Sequence, residues 1–231
     1  MDHLANHMLS HANTIGYASI MLLDFTILLV ALRIMTKESK SGIDADSNKT
    51  HQRSLFVAFI CAAVFGRFLL AEVPNVQPVT ILVLMCGALL GWRRGVGMAL
   101  IVTLLTNIQL GSGQWSVFQA LGWAIVAIVG YRLADHLVSD EGYIRLKPVL
   151  LVGFGMAFIF DLVVSLSVLP TLSQSNEFIN YLIAGLPYDF LHAFGNITFG
   201  LWLVPSVNYL LQRADWQVAS PVVGASTVEA A

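Results

Sequence analysis

Long apolar runs separated by short polar breaks dominate the pattern of this chain. A bilayer core about 30 Å thick is crossed by roughly 20 apolar residues in a helix. Four runs approach or exceed that length, at 15–35, 54–70, 148–169 and 178–211. The pattern therefore predicts helices that cross a membrane rather than the amphipathic helices of a soluble protein.

The middle of the chain adds three more predicted spans. The stretch 78–92 is short and opens at Pro78, which suits the first turn of a helix. The uncharged stretch 95–131 is too long for one helix, and the turn signal at 111–114, Gly-Ser-Gly-Gln, divides it in two. The total is seven predicted spans.

Composition supports this interpretation and excludes other classes. Of the 231 residues, 57% are hydrophobic and 11% are charged, whereas a soluble domain carries about 25% charged residues. A net charge of -2 gives no basic field for nucleic acid. The predicted fold class is an all-α, polytopic membrane helix bundle with a six-helix core and one extra N-terminal transmembrane helix.

The polar stretch 37–53 sets the first span apart from the rest. We predict an extracellular tail and extra helix at 1–36, a cytoplasmic linker at 37–53, a core at 54–212 and a cytoplasmic tail at 213–231. With that linker inside, 11 of the 12 basic residues fall on the cytoplasmic side. Because cytoplasmic loops are enriched in Lys and Arg, the N-terminus is predicted outside and the C-terminus inside.

Four charged residues lie inside predicted spans, which is costly and indicates a functional or paired role. They are Asp24, Arg67, Asp161 and Asp189, and all four fall in the outer half of their spans. The alternative is structural ion pairing, for instance between Arg67 and one of the aspartates.

One stripe on the last span combines a carboxylate, an imidazole and an amide. Asp189, His192 and Asn196 are spaced three and four residues apart, so they share a helix face. Such a face is expected to look into the bundle. It can serve as a binding site or as an interhelical knot of hydrogen bonds.

A second polar set lies at the outer helix ends and includes Asn75, Gln77, Gln119 and Trp123. Amides beside aromatic rings suit a neutral organic ligand that forms hydrogen bonds. An aromatic belt at the membrane interface is the alternative.

Small residues recur every four positions, at Ala58, Ala62 and Gly66 and again at Gly87, Gly91 and Gly95. Such stripes allow helices to approach closely, either within the bundle or against another subunit.

The N-terminal residues His3, His7 and His11 would share a helix face, although a polar extracellular tail is the simpler interpretation. No phosphate-binding loop is present, so the chain is not expected to hydrolyse ATP itself.

The segment 71–80, Ala-Glu-Val-Pro-Asn-Val-Gln-Pro-Val-Thr, together with the glycine stripe and the Gln119-to-Trp123 segment, resembles a known family. It is similar to the substrate-binding S-components of energy-coupling factor (ECF) transporters, closest to the cobalamin-type branch. The likeness covers about residues 54–212.

The resemblance implies a non-enzymatic transport subunit with no cofactor of its own, in the plasma membrane of a prokaryotic cell. Such a subunit captures a vitamin at the outer face, with cobalamin as the first candidate and riboflavin the next. It docks on a transmembrane coupling protein and two ATPases, and the implied docking pattern matches Ala58 and Ala62. The expected ligand-binding residues are Asn75, Gln77, Gln119, Trp123, Asp161, Asp189, His192 and Asn196. The rival hypothesis is a membrane-embedded enzyme or metal-handling protein that uses Asp161, Asp189 and His192.

Overall fold

The computed structural model describes residues 19, 22, 24–27, 29–31, 33 and 46–213, and all of those up to residue 33 are helical. The tail histidines at positions 3, 7 and 11 lie outside these residues. From position 46 onward the elements are α1 (Asp46–Leu69), α2 (Val79–Leu90), α3 (Trp92–Leu110), α4 (Trp115–Arg132), α5 (Ala134–Leu137), α6 (Leu146–Ser165), a 3-10 helix (Leu166–Thr171) and α7 (Ser175–Arg213). The described residues contain one isolated β-bridge, between Val138 and Ile144, and no strand.

Helix α2 forms the centre of the bundle. Ten of its 12 residues are buried, and α1, α3, α4, α6 and α7 all pack against it. At 1.5 Å per residue it is about 18 Å long, which is less than the thickness of a bilayer core. Because neighbouring helices enclose it, the helix needs no polar face, and apart from Thr80 its sequence is apolar.

Glycines set the distance between α2 and α4. A Cβ on Gly87 would overlap the carbonyl group of Ala127, and a Cβ on Gly130 would overlap the carbonyl group of Leu84. The expectation of close packing is thus confirmed at Gly87. Gly91 has a different role, because its φ of 88° makes the break between α2 and α3, a conformation that glycine adopts without steric cost.

Among the residues that the structure describes, three helical stretches are long and apolar enough to span a membrane, at Thr50–Leu69, Leu146–Thr171 and Asn176–Arg213. The prediction of a helical membrane protein is confirmed at that level. The predicted turn at 111–114 is also present, since α3 ends at Leu110 and α4 begins at Trp115.

Two predicted boundaries differ from the structure. Helix α1 begins at Asp46, inside the predicted linker 37–53. The apolar run marks only the part of a helix that is suited to a membrane, and the helix can continue through the polar residues that precede it. Helix α7 begins at Ser175, ahead of the predicted start at 178, and contains Pro187 and Pro205. At about 58 Å, this helix is longer than a bilayer core is thick.

Basic residues gather at one end of the bundle. Helices α1, α3 and α6 run away from this end, and α4 and α7 run towards it. It therefore carries Arg53, Arg93, Arg94, Arg132, Arg145, Lys147 and Arg213, while Arg67 lies near the opposite end. At this basic end the Asn208 side chain bonds both the N–H and the C=O of Ile144, at 2.8 and 3.0 Å, and fastens the loop before α6 to α7.

Cysteine labelling tests which end faces outward. Gln114 and Glu141 are both exposed and lie at opposite ends of the bundle. In a Cys61→Ser background, which removes the exposed native thiol, we expect a membrane-impermeant maleimide to modify Gln114→Cys in intact cells and to miss Glu141→Cys. Permeabilised cells provide the control in which both react. Labelling of Glu141→Cys alone in intact cells would reverse the predicted orientation.

Candidate ligand-binding site

A cavity lies at the end of the bundle opposite the basic residues, where α1, α3 and α6 end and α2 and α4 begin. Its volume is about 90 Å³. The chain reaches it from α1, the loop 70–78, α2, α4, α6 and α7. The lining residues are Arg67, Asn75, Gln77, Val79, Thr80, Gln119, Trp123, Phe160 and His192.

A line of hydrogen bonds crosses the wall of the cavity between α2, α6 and α7. The Thr80 hydroxyl lies 2.8 Å from His192 Nε2, and His192 Nδ1 lies 2.9 Å from a carboxylate oxygen of Asp161. Trp123 Nε1 donates to the Thr80 oxygen at 3.3 Å. With Asp161 ionised and the imidazole neutral, every donor in this line meets an acceptor: Trp123 to Thr80, Thr80 to His192, and His192 to Asp161.

Asn75 closes the line at the mouth of the cavity. Its side-chain amide donates to the second carboxylate oxygen of Asp161 at 3.5 Å. The backbone of Asn75 has a φ of 58°, a left-handed conformation that asparagine tolerates better than most residues. Asn75 itself is exposed, so it forms the rim of the site.

Arg67 supplies the opposite wall from the last turn of α1. Its guanidinium donates to Gln77 Oε1 at 3.2 Å, to Gln119 Oε1 at 3.4 Å and to the Thr106 hydroxyl. It also lies 5.0 Å above the ring of Trp123, a cation–π contact.

Buried amides and hydroxyls hold these groups from behind. Asn107 donates to Gln119 Oε1 at 2.8 Å and to the Ser116 hydroxyl at 2.9 Å, which fixes Gln119 against α3. The Thr106 hydroxyl donates to the carbonyl oxygen of Val102 at 2.7 Å. The donors of Arg67 therefore meet acceptors that are already oriented.

Aromatic rings form the remaining wall. Trp123 and Phe160 are stacked with ring centroids 4.9 Å apart, and the rings of Phe160 and His192 are nearly perpendicular with centroids 5.4 Å apart. The cavity thus has polar walls and one flat apolar side, the combination found in sites for small organic molecules.

Five of the eight expected ligand-binding residues line this cavity: Asn75, Gln77, Gln119, Trp123 and His192. Asp161 lies directly behind His192. Asp189 is half-buried and interacts electrostatically with Asp161 and His192, but it does not line the cavity. The spacing of these residues along the chain could not show that they meet at one cavity, because Asn75 and His192 are more than 100 positions apart.

Asn196 has a different role from the one expected. It is fully buried, and its amide donates to the Gly153 carbonyl oxygen at 2.9 Å. It therefore joins α7 to α6 instead of lining the cavity, because it lies one turn deeper in the bundle than His192.

Sequence reasoning left four residues of the cavity wall out of the predicted set: Arg67, Val79, Thr80 and Phe160. Arg67 stood out as an intramembrane charge, but the alternative of an ion pair with an aspartate is not what the structure shows in the described ranges, where its hydrogen-bond partners are neutral. Thr80 lies in the same polar segment as Asn75 and Gln77, and this proximity in sequence could have indicated that it belongs to the cavity wall. Phe160 gave no signal, since it is one apolar residue within an apolar run.

In the described part of the chain, no three or more His, Cys, Asp or Glu side chains lie close enough together to hold a metal ion. The His192–Asp161 pair provides two such groups, and both ring nitrogens of His192 are already engaged.

A family model described as "Family of unknown function (DUF6580)" matches residues 47–219. Since this match covers most of the chain, the protein belongs to that family. Neither the curated proteins nor the solved structures contain a match to the chain.

Proposed function

We propose that this DUF6580 member is the substrate-binding subunit of an ECF-type importer and holds a vitamin or similar micronutrient in the outer cavity. The observation that carries the proposal is the convergence of polar side chains from five separate parts of the chain on one cavity near a helix end. Structural ion pairing alone does not require an amide rim, a guanidinium and an aromatic wall around one space. The protein then supplies recognition, and partner ATPases supply the energy.

Sidedness supports uptake from outside. The cavity lies at the end of the bundle away from the basic residues, and the positive-inside rule directs that end outward. In this orientation the N-terminus is outside, the C-terminus is cytoplasmic, and the six-helix core lies in the plasma membrane of a prokaryotic cell. A ligand would then enter past Asn75 on the exposed rim.

The volume of the cavity bears on the choice of ligand. Drug-sized ligands occupy pockets of about 300–1,000 Å³, whereas this one measures about 90 Å³. Cobalamin, the first candidate from the resemblance, and riboflavin, the second, are both larger. Either would therefore require the cavity to be wider than it is in this structure.

The exposed face of α1 supports docking on a coupling protein. Ala58 and Ala62 are both exposed on this face, whereas Gly66 of the same stripe packs against Pro78. Two small exposed side chains one turn apart let a partner helix approach closely.

Ala62→Trp tests recognition and docking separately. We expect the purified variant to retain the same small molecule as the wild type, identified by mass spectrometry of the released ligand. Uptake should be lost in cells that also express a coupling protein and two ATPases, because the indole holds the partner helix away. Val57→Trp is the matched control, since Val57 is also exposed but lies about 140° around the helix from Ala62.

Two results would contradict the proposal. If no small molecule co-purifies with the wild-type protein, and no added compound raises its melting temperature, the cavity is not a binding site. If Ala62→Trp and Val57→Trp transport equally well, the Ala58–Ala62 face is not the docking surface.

The second candidate is a membrane-embedded enzyme. The Thr80–His192–Asp161 line has the order of a hydroxyl nucleophile, a base and an orienting carboxylate. However, Thr80 is 1% exposed and accepts a hydrogen bond from Trp123, which withdraws electron density from the oxygen that would attack. An enzyme would convert the compound that it binds, whereas a transport subunit would release it unchanged after prolonged incubation.

A further inference from the structure

Arg67 is a cation held in an almost closed environment. Its side chain sits in the last turn of α1, and the residue is 6% exposed. Every hydrogen-bond partner that it has in the described ranges is neutral: Gln77, Thr106 and Gln119. The Trp123 ring disperses part of the charge and does not cancel it.

Asp161, the carboxylate that contacts the cavity-lining residue His192, is engaged by other groups. Asp161 is bound by His192 through one oxygen and by Asn75 through the other. Within the described part of the chain, Asp161 is hydrogen-bonded to His192 and Arg67 has no carboxylate partner. A buried charge that lacks a counterion is unfavourable, and more so in a membrane.

The donor count of Arg67 indicates what is missing. A guanidinium has five N–H donors, and three of them are used, one on each nitrogen. One donor therefore remains on each terminal nitrogen, on a side chain that lines the cavity. Two N–H donors on one guanidinium can meet the two oxygens of a carboxylate.

We propose that the cavity binds the carboxylate group of its ligand through Arg67. This inference rests on the proposed function, since it names the chemical class of the molecule that the cavity captures. The bound carboxylate supplies the counterion that the protein does not provide, and the stacked rings of Trp123 and Phe160 accommodate the apolar part of the ligand. A volume of about 90 Å³ suits a short carboxylic acid or the acid end of a larger molecule.

The test compares a carboxylate with its neutral near-isostere. We expect propionate to raise the melting temperature of the purified protein in detergent, and propionamide at the same concentration and ionic strength to leave it unchanged. Arg67→Gln should weaken the apparent affinity for propionate by at least about tenfold, because charge-assisted hydrogen bonds contribute more than neutral ones.

Arg93→Gln is the matched control. Arg93 also lies over a tryptophan ring, Trp92, at 5.4 Å, but at the basic end of the bundle, so this variant should respond to propionate like the wild type. Arg67→Lys keeps the charge and is expected to keep the preference for propionate over propionamide at reduced affinity. This second variant preserves the test if Arg67→Gln does not fold.

Equal stabilisation by propionate and propionamide would overturn the inference, and so would an unchanged propionate response in Arg67→Gln. Stabilisation by inorganic phosphate but not by propionate would also overturn the assignment to a carboxylate. Mass spectrometry of the native ligand separates this failure from failure of the proposed function: a bound neutral vitamin refutes the carboxylate and leaves the transport role intact.

Discussion

Gly87→Val is expected to prevent the chain from folding into a monodisperse species in detergent. A Cβ at this position would lie 2.9 Å from the carbonyl carbon of Ala127 and closer still to its oxygen. Because the obstacle is backbone, no side-chain rotation relieves it, and α2 and α4 would have to separate. Overpacking a core costs about 1–3 kcal/mol and occasionally more. We expect the upper end here, measured by size-exclusion profile and melting temperature.

The matched control is Gly155→Val on α6. A Cβ on Gly155 meets nothing within 4 Å, so the same change of side chain creates no overlap there. We expect that variant to elute and melt like the wild type. A folded Gly87→Val protein with unchanged stability would show that the α2–α4 contact is looser than the structure has it.

Asp161→Ala is expected to reduce the affinity for the native ligand by tenfold to hundredfold and to lower the melting temperature. The change leaves His192 Nδ1 and the Asn75 amide without their acceptor, and it removes the group that fixes the tautomer of His192. An unsatisfied buried polar group costs about 1–3 kcal/mol, which corresponds to the stated range of affinity. Titration with the compound released from the wild-type protein measures the loss.

Asp189→Ala is the comparison that distinguishes the hydrogen bonds of Asp161 from a general effect of negative charge near His192. Asp189 interacts electrostatically with the same pair, but it makes no hydrogen bond in the part of the chain that the structure describes. We expect a loss smaller than fivefold, since about 1 kcal/mol or less is at stake for a half-exposed charge. Equal losses from the two alanine variants would contradict the central role of the Asp161–His192 contact.

Several residues of the predicted set converge on one cavity, for a reason that follows from chain geometry. Asn75, Gln77, Gln119 and Trp123 lie at ends of helices that the apolar runs define, and helix ends on the same side of a bundle meet. Asn196 does not line the cavity, because helix periodicity identifies a face of a helix and not the depth along it. Asn196 and His192 share one face of α7, but His192 lies at the cavity and Asn196 lies further along the helix, where this face packs against α6.

The sequence by itself determined that this is a helical membrane protein, where its middle turns lie, and which end carries the basic residues. These properties depend on local hydropathy and charge, which each segment carries on its own. The tertiary structure decided that Arg67 faces neutral acceptors rather than an aspartate, and that Thr80 joins His192 and Trp123. All but one of these contacts, Arg67 to Gln77, join side chains that are 39 to 112 positions apart in the chain. Contacts of that kind arise from how six helices pack around α2, and no local pattern encodes them.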